Sequence, residues 1–146
     1  MNIKSNVLIA IYLVVSALAL FFTWSHIPEY LGHGFIEANK AFWIDALINA
    51  NSAGKFLSID ILFLAFVCNV WMYIEGRRIG IKYITIYIIV GLLVAISVAF
   101  PLFLAAREAK MAKQIELHQS PGLKVADILV LTVLFVLTLG VSIWMY

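Results

Sequence analysis

Four long apolar stretches constrain the fold of this chain more than any other feature. They cover roughly residues 7–24, 56–74, 83–105 and 125–146. A helix of about 20 apolar residues is long enough to cross the roughly 30 Å hydrocarbon layer of a bilayer. Helices are expected because lipid cannot hydrogen-bond exposed backbone, and no alternating pattern indicates a β-barrel. The sequence therefore predicts an all-α fold, a four-helix transmembrane bundle that forms one integral membrane domain over residues 1–146.

The composition supports a membrane protein and excludes several function classes. Of the 146 residues, 64% are hydrophobic and 12% are charged, whereas soluble domains carry about 25% charged residues. A soluble domain of this size cannot bury so much apolar surface. The net charge of +2 and the lack of a basic, aromatic stripe predict no nucleic-acid partner. The apolar run near the N-terminus continues through Trp24, so we expect a retained span rather than a cleaved signal peptide.

The connection between the first two spans is predicted to contain a short amphipathic helix. Its apolar side chains fall on one side of a helical wheel, and Glu37, Lys40 and Asp45 fall outside that arc; the apolar positions are Phe35, Ile36, Phe42, Trp43, Ala46 and Leu47. Such a helix typically lies in the membrane interface.

The orientation in the membrane follows from the number of spans and the loop charges. Four crossings would put both termini on one side, together with four Lys and Arg residues, against six on the other side. That difference is too small for the positive-inside rule to decide. The compact, basic loop GRRIGIK favours cytoplasmic termini.

The middle of the chain also resembles a known family. The stretch FWIDALINANSAGKFLSIDILFLAFVCNVWMYIEGRRIGI, followed by AFPLFLAARE, is similar to small bacterial membrane proteins catalogued as domain of unknown function 2834. The similar features are an Asn before a helical Asp, a Trp before E-x-R-R-x-G, and a Pro-Leu-Phe-Leu helix end. The resemblance covers residues 42–108. It implies a bacterial inner-membrane protein and implies no activity, and the segment after Glu108 looks like an addition to the family's usual core.

Five residues of the second span share one stripe at helical spacing: Asp60, Leu64, Val67, Trp71 and Glu75. A charged residue inside a span costs from about 2.5 to more than 10 kcal/mol, so we expect Asp60 to face the bundle or water. Two readings stay open. Asp60 either sits shallowly near headgroup water at the helix N-terminus, or belongs to a functional polar network. Glu75 lies beside Arg77 and Arg78 and is expected to reach the interface.

A four-span topology would gather further polar groups at the Asp60 end of the bundle. The third span would end there with Ser97, Pro101 and Arg107, and the fourth would begin there with Asp127. Arg107 is the expected counter-charge for Asp60. We therefore predict a cavity for an amphipathic ligand, with these binding residues: Asp60, Leu64, Val67, Trp71, Ser97, Arg107 and Asp127.

The histidines do not predict a metal or haem site. His26 and His33 are seven residues apart, which would put them on one face of a regular helix. Pro28 and two glycines interrupt any such helix, however, and the spacing matches no metal signature. His118 is expected in a loop. No cofactor is predicted, and no motif for phosphate binding, serine hydrolysis, thiol redox chemistry or zinc proteolysis occurs.

Three functions remain open at this stage. The first is a non-enzymatic membrane module that binds an apolar or amphipathic lipid-like ligand or docks on a larger membrane complex. The second is a membrane enzyme that uses Asp60 or Glu75 as a general acid on an isoprenoid-like lipid. The third is a proton-coupled small-molecule carrier, a homodimer with Asp60 as the proton site. The expected partners are membrane lipid and a second copy or a larger complex. The sparse chemistry favours the first function.

Overall fold

The chain folds into helices of very different lengths in a computed structural model. The structure describes residues 3–114 and seven later positions with helical backbone, which are Leu129, Thr132, Val133, Val136, Leu139, Gly140 and Ile143. Residues 3–114 form five α-helices and no strand: α1 (Ile3–Trp24), α2 (Phe35–Ile44), α3 (Ser52–Ile79), α4 (Ile84–Leu93) and α5 (Ile96–Gln114). A 3-10 helix, Pro28–His33, precedes α2, and a π-helix, Asp45–Asn49, follows it. Only α1 and α3 among these are long and apolar enough to cross a membrane.

The ends of α3 are set by local sequence signals. Asn51 is the N-cap residue, and its side-chain oxygen accepts a hydrogen bond from the Gly54 N–H at 2.8 Å. Gly80 ends the helix in the left-handed conformation, with φ of 71°, which glycine adopts without steric cost. The carbonyl of Gly76 accepts the N–H groups of Gly80 and Ile81. These caps give a helix of 28 residues, about 42 Å long.

The third expected span, 83–105, is not one helix. The chain breaks at Val94 and Ala95, and α5 folds back against α4. The Tyr87 and Phe103 rings meet at 5.6 Å between centroids, whereas sixteen residues of continuous helix would separate them by about 24 Å. The two helices therefore form a hairpin. At about 15 Å, the ten residues of α4 are too few to cross a bilayer.

The first helix packs along α5 in the opposite direction. Three side-chain hydrogen bonds define how α1 is aligned with α5. Ser5 Oγ donates to the Glu108 carbonyl at 3.4 Å, Ser16 Oγ donates to the Val98 carbonyl at 3.0 Å, and Trp24 Nε1 donates to the Val94 carbonyl at 3.4 Å. In a continuous α-helix the Val94 carbonyl would accept the Val98 N–H. At the helix break the Val98 N–H donates to the Ala95 carbonyl, so the Val94 carbonyl lacks this helical partner. Trp24 therefore supplies a donor to a backbone group that the break leaves free.

The hairpin corrects the predicted topology. The start of α1, the end of α3, the start of α4 and residue Arg107 of α5 all lie at one end of the helix assembly, which we call the Glu75 end. Residues 25–55 lie at the opposite end. Two of the predicted spans, 7–24 and 56–74, fall within α1 and α3. A helix forms where the amphipathic helix was expected, and most of the 125–146 span lies outside the described residues.

Candidate functional site

A cluster of charged and aromatic side chains lies where α3, α4 and α5 meet. Glu75 is its centre, and its side chain is only 9% exposed. Arg78 contacts both carboxylate oxygens, with Nε 2.6 Å from Oε2 and Nη2 2.7 Å from Oε1. Arg107 arrives from α5 and places its Nε 2.7 Å from the same Oε1. Arg107 Nη1 also donates to Glu108 at 3.0 Å, so two arginines and two glutamates form one network.

Aromatic rings support this network from the apolar side. The Arg107 guanidinium lies over the Trp71 ring, with its Cζ 5.8 Å from the ring centroid, which is a cation–π geometry. Trp71 packs edge-on against Phe100 and Phe103. Phe103 and Met72 are fully buried. The rings therefore hold Arg107 in position and exclude water from one side of the carboxylate.

Gly76 makes the close packing of these helices possible. A Cβ atom at this position would lie 2.8 Å from Cγ1 of Ile84 and 3.2 Å from the buried ring of Phe103. Small residues of this kind let helices in a membrane approach closely. The neighbouring positions of α3 therefore sit directly against α4 and α5.

The arrangement of donors limits what Glu75 can do chemically. Its two oxygens accept three hydrogen bonds from guanidinium groups, in bidentate geometry with Arg78. A general acid needs a proton on the carboxyl group and an open path to the substrate. This carboxylate is instead occupied by protein donors, and its bond to Arg107 joins α3 to α5.

The predicted Asp60–Arg107 pair does not form, and the hairpin is the reason. Because α5 turns back toward the Glu75 end, Arg107 meets Glu75 and not Asp60. Asp60 lies fifteen residues earlier on α3, about 22 Å away along the helix. It is exposed and has no ion pair among the described residues. The prediction that both residues lie at one end of the bundle was wrong.

The other predicted ligand-binding residues separate into two groups. Trp71 and Arg107 are brought together in the Glu75 cluster. Leu64 and Val67 are exposed on α3, and Ser97 is exposed near the start of α5. Asp60 is exposed as well, and a ligand cavity formed by these residues stays a prediction. Asp127 lies outside the described residues.

An apolar groove occurs elsewhere, between α1 and the tip of the hairpin. It is shallow and widely open, its volume is about 430 Å³, and it is lined by Leu20, Trp24, Val90, Val94 and Val98. The groove and the Glu75 cluster occupy different levels of the assembly, so the charged groups do not contribute to the groove. Its lining offers a ligand only apolar contacts, apart from the Trp24 indole that already donates to Val94.

The histidines are not assembled into a metal centre in the described residues. His26 lies in the bend after α1 and is exposed. His33 is the last residue of the 3-10 helix, and His118 lies outside the described residues. No group of three His, Cys, Asp or Glu side chains able to hold a metal occurs within the described part of the chain.

The sequence analysis missed three features: the Glu75–Arg78 ion pair, the burial of Phe103 and the apolar groove. The spacing of Glu75 and Arg78, three residues apart on a helix, was a usable signal for an ion pair. The burial of Phe103 and the groove had no comparable signal, because both depend on the break at Val94 and Ala95. Pro101 drew attention to an irregular helix, but it lies inside α5 and the break comes earlier.

Comparison with known proteins gives a family and no activity. The family model described as "Protein of unknown function DUF2834" matches residues 11–109. That range includes the whole Glu75 cluster and the groove. No curated protein matches the chain significantly, and no solved structure does.

Proposed function

Because the chain belongs to the DUF2834 family, whose description assigns no activity, we propose a function from the geometry. The protein is an integral membrane protein without a catalytic centre of its own, and it binds the apolar chain of a lipid-like molecule in the groove between α1 and the hairpin tip. The groove is the observation that carries this proposal. It is shallow and wholly apolar, so it suits a flexible acyl chain lying along it rather than a small molecule enclosed in a pocket.

The membrane placement rests on α1 and α3, which have the length and apolarity to span a bilayer. Asp60 and Glu75 are about 22 Å apart along α3, less than the roughly 30 Å of hydrocarbon. Both acids therefore cannot sit at opposite interfaces of an ordinary bilayer. The charge of Glu75 is neutralised by Arg78 and Arg107, so Glu75 can lie within the hydrocarbon layer. Asp60 has no such partner among the described residues and is exposed. We therefore place Asp60 at the membrane interface.

The hairpin of α4 and α5 would enter the membrane from the Glu75 end and return to it. Broken helices are tolerated at membrane depth where protein satisfies the freed backbone groups, and Trp24 does this for the Val94 carbonyl. In this topology two of the nine Lys and Arg residues within residues 3–114, Lys40 and Lys55, lie at the opposite end. The positive-inside rule then puts the Glu75 end and the N-terminus in the cytoplasm, in a bacterial inner membrane.

The surroundings of Glu75 favour a non-enzymatic lipid-binding protein over an enzyme that uses this residue as a general acid. A general acid acting on an isoprenoid-like lipid needs an accessible carboxyl group, and Glu75 is buried and occupied by two arginines. Asp60 is accessible, but it lies on the free part of α3, away from the apolar groove. A docking role on a larger membrane complex is an alternative outcome of the test below.

Photolabelling with a neutral phospholipid that carries a diazirine in its acyl chain tests the groove. In vesicles, labelled peptides should include Trp24, Val94 or Val98. Leu20→Trp fills the groove from α1 and should reduce that labelling several-fold. Val14→Trp adds the same side chain at an exposed position of α1 outside the groove and should leave it unchanged. Labelling spread evenly over all exposed apolar segments, in both variants, would refute a specific groove.

A further inference from the structure

The two ends of the helix assembly carry opposite charge. The Glu75 end holds seven of the nine Lys and Arg residues in the described range 3–114, which are Lys4, Arg77, Arg78, Lys82, Arg107, Lys110 and Lys113. The acidic residues described there are Glu75 and Glu108. The opposite end holds Lys40 and Lys55 together with four acids, Glu29, Glu37, Asp45 and Asp60. The four-span prediction put four Lys and Arg residues on one side of the membrane and six on the other. The stronger asymmetry arises because the hairpin brings the cations of α5 to the Glu75 end.

The cations at the Glu75 end lie at matching heights on two neighbouring helices. The Trp71–Phe103 and Glu75–Arg107 contacts show that α3 and α5 run in the same direction with an offset of 32 residues. By this register Lys110 is level with Arg78. Lys113 lies three residues further along α5, and Lys82 lies three residues after the end of α3. Five cationic residues near these two helix ends are called the basic band: Arg77, Arg78, Lys82, Lys110 and Lys113.

Most of the charge in the basic band is not neutralised by any acid in the described part of the chain. Arg77 donates to the Tyr73 hydroxyl at 3.3 Å and lies over its ring, and neither contact supplies negative charge. Lys82 and Lys113 are exposed, and neither forms an ion pair with another described residue. The Arg78 side chain is 62% exposed although it contacts Glu75. The band therefore offers free cationic groups next to the buried cluster.

We infer that the basic band binds the headgroup phosphate of anionic phospholipids. Clusters of four to eight Lys and Arg residues beside a transmembrane helix attract anionic lipid headgroups. A guanidinium and ammonium groups on two adjacent helices can contact one phosphate from different sides. This inference rests on the proposed membrane insertion and is independent of the apolar groove, since the groove lies at the hairpin tip.

Native mass spectrometry of the full chain, purified in mild detergent, tests the inference. Phosphatidylglycerol and phosphatidylcholine with identical acyl chains are added in equal amounts. The wild type should retain phosphatidylglycerol several-fold more than phosphatidylcholine, and the preference should fall as salt rises. The double variant Arg77→Gln with Lys82→Gln should lose most of the preference, whereas Arg77→Lys with Lys82→Arg should keep it.

A matched control removes two charges from the other end. Lys40→Gln with Lys55→Gln should keep the preference for phosphatidylglycerol, and an equal loss in this variant would overturn the inference. Equal retention of both lipids by the wild type would also overturn it while leaving the groove proposal intact. Displacement of the lipid by inorganic phosphate at the same concentration would indicate a free-phosphate site and count against a lipid headgroup. Leu20→Trp should change total lipid retention without changing the headgroup ratio.

Discussion

The two halves of α3 have similar apolar sequences but different surroundings. In the packed half, residues 71–79, the side chains of Met72, Glu75 and Ile79 are buried. In the free half, residues 56–70, no residue is fully buried, and Phe56, Phe63 and Phe66 are at least 66% exposed. The hairpin explains the difference, because the ten residues of α4 cover only about 15 Å of its neighbour.

The same comparison separates the two acids of α3. Glu75 lies in the packed half, where Arg78 and Arg107 occupy its oxygens. Asp60 lies in the free half and is exposed. A carboxylate in an apolar helix is therefore not by itself a sign of chemistry. Its partners decide whether it holds helices together, as Glu75 does, or stays at the surface.

The largest expected effect is a difference in the side of the membrane from which the two ends of α3 can be labelled. In a Cys68→Ser background, Arg77→Cys and Lys113→Cys should react with an impermeant maleimide from the same side of the membrane. Lys55→Cys should react only from the opposite side. The effect is all-or-none, because the reagent cannot cross an intact bilayer. Reaction of Arg77→Cys and Lys113→Cys from opposite sides would restore the four-crossing topology, and permeabilised cells should label all three variants.

Removing the central ring of the packed half should have the next largest effect. Phe103→Ala empties a fully buried site beside Trp71 and should lower the free energy of unfolding by about 3–5 kcal/mol. Phe63→Ala, in the free half and 71% exposed, should change it by less than about 0.5 kcal/mol. Denaturant titration in mixed micelles measures both. Equal losses would mean that another segment or chain packs the free half.

The two acids should differ when each is neutralised. Glu75→Gln leaves the Arg107 guanidinium, which is 22% exposed, without its main anionic partner. The expected loss is about 3 kcal/mol, at the low end for a broken buried pair because Arg78 reaches water. Asp60→Asn should change stability by less than about 0.5 kcal/mol. The same titration checks both variants, and a larger loss for Asp60→Asn would show a partner that these contacts do not include.

The smallest effect concerns the close approach of the helices in the packed half. Gly76→Ala adds a methyl group against Ile84 and Phe103 and should lower stability by about 1–3 kcal/mol. Gly32→Ala adds the same group where no atom lies within 4 Å, so its change should stay within about 0.5 kcal/mol. Thermal unfolding in one detergent compares the two. If Gly76→Ala leaves the unfolding temperature unchanged, the Ile84 side chain must rotate away from the new methyl group at little energetic cost.

Local patterns were sufficient to predict several elements before any tertiary contact was known. The apolar runs predicted helices over 7–24 and 56–74, which α1 and α3 contain, and a helix between them, where α2 lies. The family resemblance was confirmed by the match over residues 11–109. These features depend on composition, helical spacing and capping residues such as Asn51, all of which act over a few neighbouring positions.

The sequence by itself determined that the chain is helical, rich in apolar surface and a member of a family without a described activity. Only the tertiary structure decided where Arg107 lies. Residues 83–105 are long and apolar enough for one crossing, and neither glycine nor proline marks Val94 and Ala95 as a break. Their conformation depends on contacts far apart in sequence, such as Trp24 with Val94 and Tyr87 with Phe103. That one turn reverses the direction of α5. Arg107 therefore lies beside Glu75 rather than at the expected place beside Asp60, and the basic band lies at one end of the helix assembly.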